Sequence, residues 1–111
     1  DYLPVPSYDT AVTILNGATL SSSGIDLQGA VLAGLIMPAA FTGTTIYLQA
    51  ASSLNGTYGR VQADGADVAI TVTAGRPISI SNLALTKPWN FIKIEAASAQ
   101  AADRSIVLAL V

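Results

Sequence analysis

At 111 residues the chain has the length of one domain and no room for a second core. Hydrophobic residues make up 51% and charged residues 11%. That balance excludes disorder, which needs low hydrophobicity and high charge, and leaves few of the charges that keep a monomer from sticking. The net charge is −2, and the five basic residues (Arg60, Arg76, Lys87, Lys93, Arg104) are scattered, so no basic stripe is available to neutralise nucleic-acid phosphates.

Residues 1–10 (DYLPVPSYDT) alternate prolines with apolar residues. Proline fixes φ and removes a donor, so Leu3-Pro4-Val5-Pro6 reads as part of an extended N-terminal arm over residues 1–10, lying on its own domain or gripping a neighbour. Residues 11–15 form a β-type run closed by the turn dipeptide Asn16-Gly17. Serines 21–23 and Gly24 make a loop before Ile25-Asp26-Leu27. Residues 31–37 are apolar on both faces, which predicts a strand buried on both sides; Gly29, Gly34 and Pro38 oppose a helix there.

Residues 44–50 alternate, with Ile46, Leu48 and Ala50 on one face and Thr45, Tyr47 and Gln49 on the other. Asn55-Gly56 follows, then a run over 57–62. Asp64-Gly65 lies between two β-type runs, a hairpin signal because a type I′ turn needs positive φ at both central residues. Residues 67–73 alternate again, with Val68, Ile70 and Val72 inward. Gly75 and Pro77 precede Ile78-Ser79-Ile80. Residues 90–95 set Ile92 and Ile94 against Phe91, Lys93 and Glu95, and Trp89 is expected to cover an end of the core. The alanine-rich 96–103 is expected to hold at most a helical turn. The chain closes with Ile106, Leu108 and Leu110 facing in. About eight short strands with frequent turns predict an all-β, single-domain β-sandwich, jelly-roll-like, or a small barrel, over residues 11–111.

Histidine and cysteine are absent. The Ser-His-Asp and Cys-His arrangements, disulfides and the common transition-metal ligands are therefore unavailable, and no catalytic site, cofactor or metal is expected. A carboxylate pair is the one catalytic option left, drawn from Asp26, Asp64, Asp67, Glu95 and Asp103. Most of these lie in or beside turns, where Asp commonly bonds its own backbone. Asp64-Gly65-Ala66-Asp67 lacks the spaced ligands and closing Glu of a calcium loop. Asn55-Gly56-Thr57 fits a glycosylation sequon, but a turn explains it better. No apolar run reaches a membrane span, since Pro38 interrupts the longest, residues 30–41. No signal-peptide layout is present, although the chain opens at Asp1 without Met. Sugar sites favour exposed aromatics, for which Trp89, Phe41, Phe91 and the four tyrosines are the candidates.

A half-exposed strand carries polar residues on its outward face. The last strand instead offers Val107, Ala109 and Val111. Together with the run at 31–37, this marks either central strands or faces that meet another chain.

Ile14-Leu15-Asn16-Gly17, Ser23-Gly24-Ile25-Asp26-Leu27, Gly29 and Leu35-Ile36-Met37-Pro38-Ala39-Ala40 occur in that order. Leu48-Gln49-Ala50-Ala51-Ser52, Asn55-Gly56-Thr57-Tyr58 and Gln100-Ala101-Ala102-Asp103-Arg104 follow them. From Thr13 onward this series resembles small virion proteins of tailed bacteriophages, of the head-decoration (cement) type; the loop 64–67 departs from it in carrying fewer acids. The resemblance implies a β-sandwich or jelly-roll subunit on the capsid exterior, made in the host bacterial cytoplasm, with the major capsid protein and itself, as a homotrimer, for partners. Nucleic acid and membrane are not expected as partners. The candidate interface comprises Leu3, Pro4, Val5, Pro6 and Tyr8 of the arm and Val107, Ala109 and Val111 of the last strand. The alternative is a carbohydrate- or receptor-binding module of a phage tail or fibre, and a third option is a minor hydrolase.

Overall fold

The computed structural model describes residues 10–111. The alternating runs become strands: β1 (Ala11–Ile14), β2 (Ile25–Asp26), β3 (Leu32–Ile36), β4 (Thr45–Ala51), β5 (Gly59–Arg60), β6 (Gln62–Ala63), β7 (Ala66–Asp67), β8 (Ala69–Thr71), β9 (Pro77–Ser79), β10 (Phe91–Ala96) and β11 (Arg104–Leu110). All pairings are antiparallel. One sheet has the order β1-β11-β3-β9; the other runs β2-β10-β4-β5, with β8 also on β4.

Leaving aside the short pieces β5, β6 and β7, the eight remaining strands read 1-8-3-6 in one sheet and 2-7-4-5 in the other. Every connection crosses between sheets except β4 to β8. This is a jelly roll, the double-sheet solution to the problem of unpaired sheet edges. The sheets share one core, in which Val12, Ile14, Leu32, Leu35, Ile106 and Leu108 of the first meet Ile46, Leu48, Ile92 and Ile94 of the second. In β1, β4, β10 and β11 alternation assigns these side chains inward, so a one-residue slip there would turn each of them out to water.

Several expectations are corrected. The segment 31–37 is not buried on both faces: β3 is a central strand, but Ile36 is 40% exposed on its outer side. A register shift between Ala109 and Leu110 accompanies the alternation break in β3, where Leu32 and Leu35 both point inward. Trp89 does not cap the core; it is 38% exposed, beyond a 3-10 turn (Leu83–Leu85). Buried Thr86 does the anchoring there, donating its hydroxyl to the Leu32 carbonyl at 2.7 Å. Phe41 is core rather than surface.

Residues 96–103 make no helical turn. Ala96 ends β10, and Gln100 turns inward, where it is buried. Its side chain accepts from the Thr42 amide at 2.9 Å and donates to the Thr42 and Ser98 carbonyls, while its backbone bonds Gly17 and Ala18. A helix would have to break that set of bonds. The runs at 57–62 and 67–73 are broken into β5 to β8, although Asp64 (φ 53) and Gly65 (φ 82) form the expected hairpin turn between β6 and β7. Thr10, expected in the arm, already accepts a hydrogen bond from the Leu108 amide at 2.8 Å.

Candidate functional site

The two outer faces of the sandwich differ in chemistry. On the second sheet, Tyr47 stands opposite Glu95, and Gln49 lies between Lys93 and Arg60. Arg60 grips Glu95 in a fork, Nε to Oε1 at 2.9 Å and Nη2 to Oε2 at 2.7 Å, and reaches Asp67 Oδ2 with Nη1 at 3.0 Å. Its guanidinium also lies 3.9 Å from the centre of the Tyr47 ring. Gln49 donates to Glu95 at 2.7 Å, and Gln62 donates to Asp67 at 3.1 Å.

Those bonds set the protonation states. The Arg60 fork holds Glu95 below the usual carboxylate range against the opposing effect of burial. The Gln62 amide, then Arg60, does the same for Asp67. Arg60 is pushed up by its hydrogen bond to Glu95 and then by that to Asp67. The cluster is self-satisfied, and neither carboxyl is kept protonated as a general acid would require. The remaining candidate acids are tied to backbone: Asp26 accepts from the Gln28 amide at 2.8 Å and Asp103 from the Asn16 amide at 2.8 Å, while Asp64 sits in its hairpin turn. Among the described residues no group of acids is placed to hold a metal ion, and no helix is long and apolar enough to cross a membrane.

Beside this cluster, a hollow of about 460 Å³ is lined by residues including Ser22, Ser23, Asn55, Tyr58 and Lys93. Tyr58 lies against Gly24, donates its hydroxyl to the Leu54 carbonyl at 2.7 Å, and carries Lys93 Nζ at 4.9 Å from its ring centre. Partial burial raises the pKa of its phenol. With Lys93 over that ring and Arg60 over Tyr47, neither tyrosine is a free stacking platform.

The first sheet is the opposite case. Register places Ala11, Val107, Ile36 and Pro77 in one row across all four strands, with their side chains on the face away from the core. The flanking pairs are Thr13 with Ser105 on one side, and Ala109 with Gly34 and Ser79 on the other. None of these strand residues is charged. Val107 and Ala109 are half-buried by neighbours in the sheet, and Val111 is 60% exposed at its end. The structure thus brings Val107 and Ala109 of β11, and Val111 just beyond it, together with Ile36 and Pro77, which the sequence reading did not single out. Leu3, Pro4, Val5, Pro6 and Tyr8 lie outside the described residues.

Gly34 shapes this face. A Cβ there would stand 2.8 Å from the Ile78 carbonyl oxygen, so only glycine lets β3 and β9 approach so closely. With Ala109 beside it, the result is a hollow of about 410 Å³, floored by Gly34 and Ala109 and walled by Ile36, Pro77 and Val111. Comparison with family models, curated proteins and solved structures returned no match to this chain.

Proposed function

We propose that this chain is a structural subunit of a bacteriophage virion, a head-decoration protein that binds the capsid shell and its own copies. Its mechanism is additive burial: each subunit adds contacts between shell proteins, and many weak sites multiply into a firm hold. The supporting observation is the uncharged row Ala11–Val107–Ile36–Pro77 across the whole first sheet. A freely solvated antiparallel sheet face carries polar residues, whereas interface cores are depleted of charge. No reaction is assigned, because Glu95 and Asp67 are committed to Arg60 and the other acids to turns and backbone.

The test is co-sedimentation of the purified chain with empty capsid shells of the phage that encodes it. Ile36→Lys on the uncharged face should weaken shell binding at least tenfold and leave the fold intact. Lys93→Glu, on the opposite face, should leave binding within about twofold. Equal binding by all three proteins, or none by the unaltered chain, would remove the reading. The sugar-binding alternative rests on Trp89, the exposed large aromatic among the described residues. A glycan that binds and is lost with Trp89→Ala would favour it instead.

A further inference from the structure

We infer that the hollow over Gly34 and Ala109 receives the apolar segment Leu3-Pro4-Val5-Pro6 of a second copy of this chain. The inference rests on the first sheet's outer face being an interface, and it names the occupant. Three features support it.

The first is where residues 1–9 enter the fold. Thr10 accepts from the Leu108 amide, and β1 runs antiparallel to β11, so Thr10 lies toward the end of the sheet where Ala109 and Val111 are. The hollow is at that same end. The second is reach. Seven positions separate Thr10 from Leu3, a span of at most about 25 Å, enough to cross from one subunit onto the face of the next. Pro4 and Pro6 favour an extended course for Leu3 and Val5.

The third is fit. The hollow has a floor of small residues and aliphatic walls, with no charged side chain among its lining residues. Leu3-Pro4-Val5-Pro6 is likewise uncharged. A proline-containing segment loses little conformational freedom on docking, so it can occupy a shallow apolar groove that a flexible peptide could not hold.

Complementation in trans tests this. Among the described residues every core residue lies between Val12 and Leu110, and thermal unfolding of a chain of residues 10–111 checks that it keeps the fold of the longer one. The full chain should self-associate, and the 10–111 chain should be monomeric by sedimentation velocity. Full-length Ile36→Lys has the segment but a blocked hollow, while 10–111 has the open hollow but no segment. Each should be monomeric alone, and the mixture should form a complex. A synthetic peptide of residues 1–9 should shift the amide resonances of Gly34 and Ala109 in 10–111 and compete with that complex. Ser79→Lys, on the exposed rim, replaces Ile36→Lys should the latter fail to fold.

If 10–111 self-associates as strongly as the full chain while Ile36→Lys does not, the face is an interface but the segment is not its occupant, and only this inference falls. A monomeric full chain whose truncation becomes sticky would place the segment on its own subunit and equally overturn it. Unchanged association and shell binding in every variant would remove the underlying reading as well.

Discussion

Val107 on β11 stands directly opposite Ile36 on β3, and both side chains point away from the core. One residue along, Leu108 stands opposite Leu35, and both are buried. Two neighbouring apolar pairs on the same strands thus have opposite fates, set by the two-residue period of the sheet. Truncation should separate them. Leu108→Ala should cost about 2–5 kcal/mol, the range for emptying a fully buried leucine site. Val107→Ala should cost under about 1 kcal/mol, since its side chain is only half-buried and leaves no closed cavity. Urea unfolding of the two variants measures this, and equal losses would place Val107 in the core.

At the β6–β7 turn, Gly65 has φ +82, and a Cβ there would meet nothing within 4 Å. The cost of Gly65→Ala is therefore backbone strain alone, about 1–2 kcal/mol. Asp64, at φ 53, already shows that an Asx residue tolerates the left-handed region in this turn. Gly65→Asn should therefore unfold at a higher temperature than Gly65→Ala. The reverse order would mean that the turn is not held in its type I′ form.

Gly24 poses a different constraint, because a Cβ would run into the Tyr58 hydroxyl. Gly24→Ala should displace the phenol, break its bond to the Leu54 carbonyl and free it from the partial burial that raises its pKa. A phenol titrating closer to its ordinary value, followed by ultraviolet absorbance against a Tyr58→Phe reference, is the expected result. An unchanged titration would show that the loop yields instead of the ring.

Strands β4, β10 and β11 are legible because each obeys a clean alternation: Ile46 and Leu48, Ile92 and Ile94, and Ile106, Leu108 and Leu110 are assigned inward and are buried. The segment around Gln100 was not legible. Its alanines suggest helix propensity, whereas its conformation is fixed by a buried amide that bonds Thr42, 58 positions away. Trp89 misled for a related reason, since hydrophobicity favoured burial but the anchoring of that connection passes through the Thr86 hydroxyl. Val107, Ala109 and Val111 could be picked out as an apolar outward set. Their junction with Ile36 and Pro77 depends on β3 and β9 pairing across the jelly roll, a long-range fact that no local pattern carries.

The Arg60 cluster predicts how the fold responds to acid. Glu95 is held below its usual pKa chiefly by the Arg60 fork, and Asp67 by Gln62 and then Arg60. A carboxyl whose pKa is lower in the folded than in the unfolded chain binds fewer protons when folded. Its stabilising contribution is complete above the unfolded value, about 4 for these side chains, and is lost as pH falls through the folded value. The unaltered protein should therefore lose stability from about pH 5 downward. Arg60→Gln removes the guanidinium that lowers both pKa values, so its stability should start lower at pH 7 and fall less steeply between about pH 5 and 3. The two curves should then converge at the acid end, where both carboxyls are protonated in either protein. Because the pairs are at the surface, 1 M salt should shrink the difference at pH 7. Urea unfolding across that pH range provides the check, and parallel curves separated by a constant offset would show that Arg60 stabilises by packing on Tyr47 rather than through its carboxylate partners.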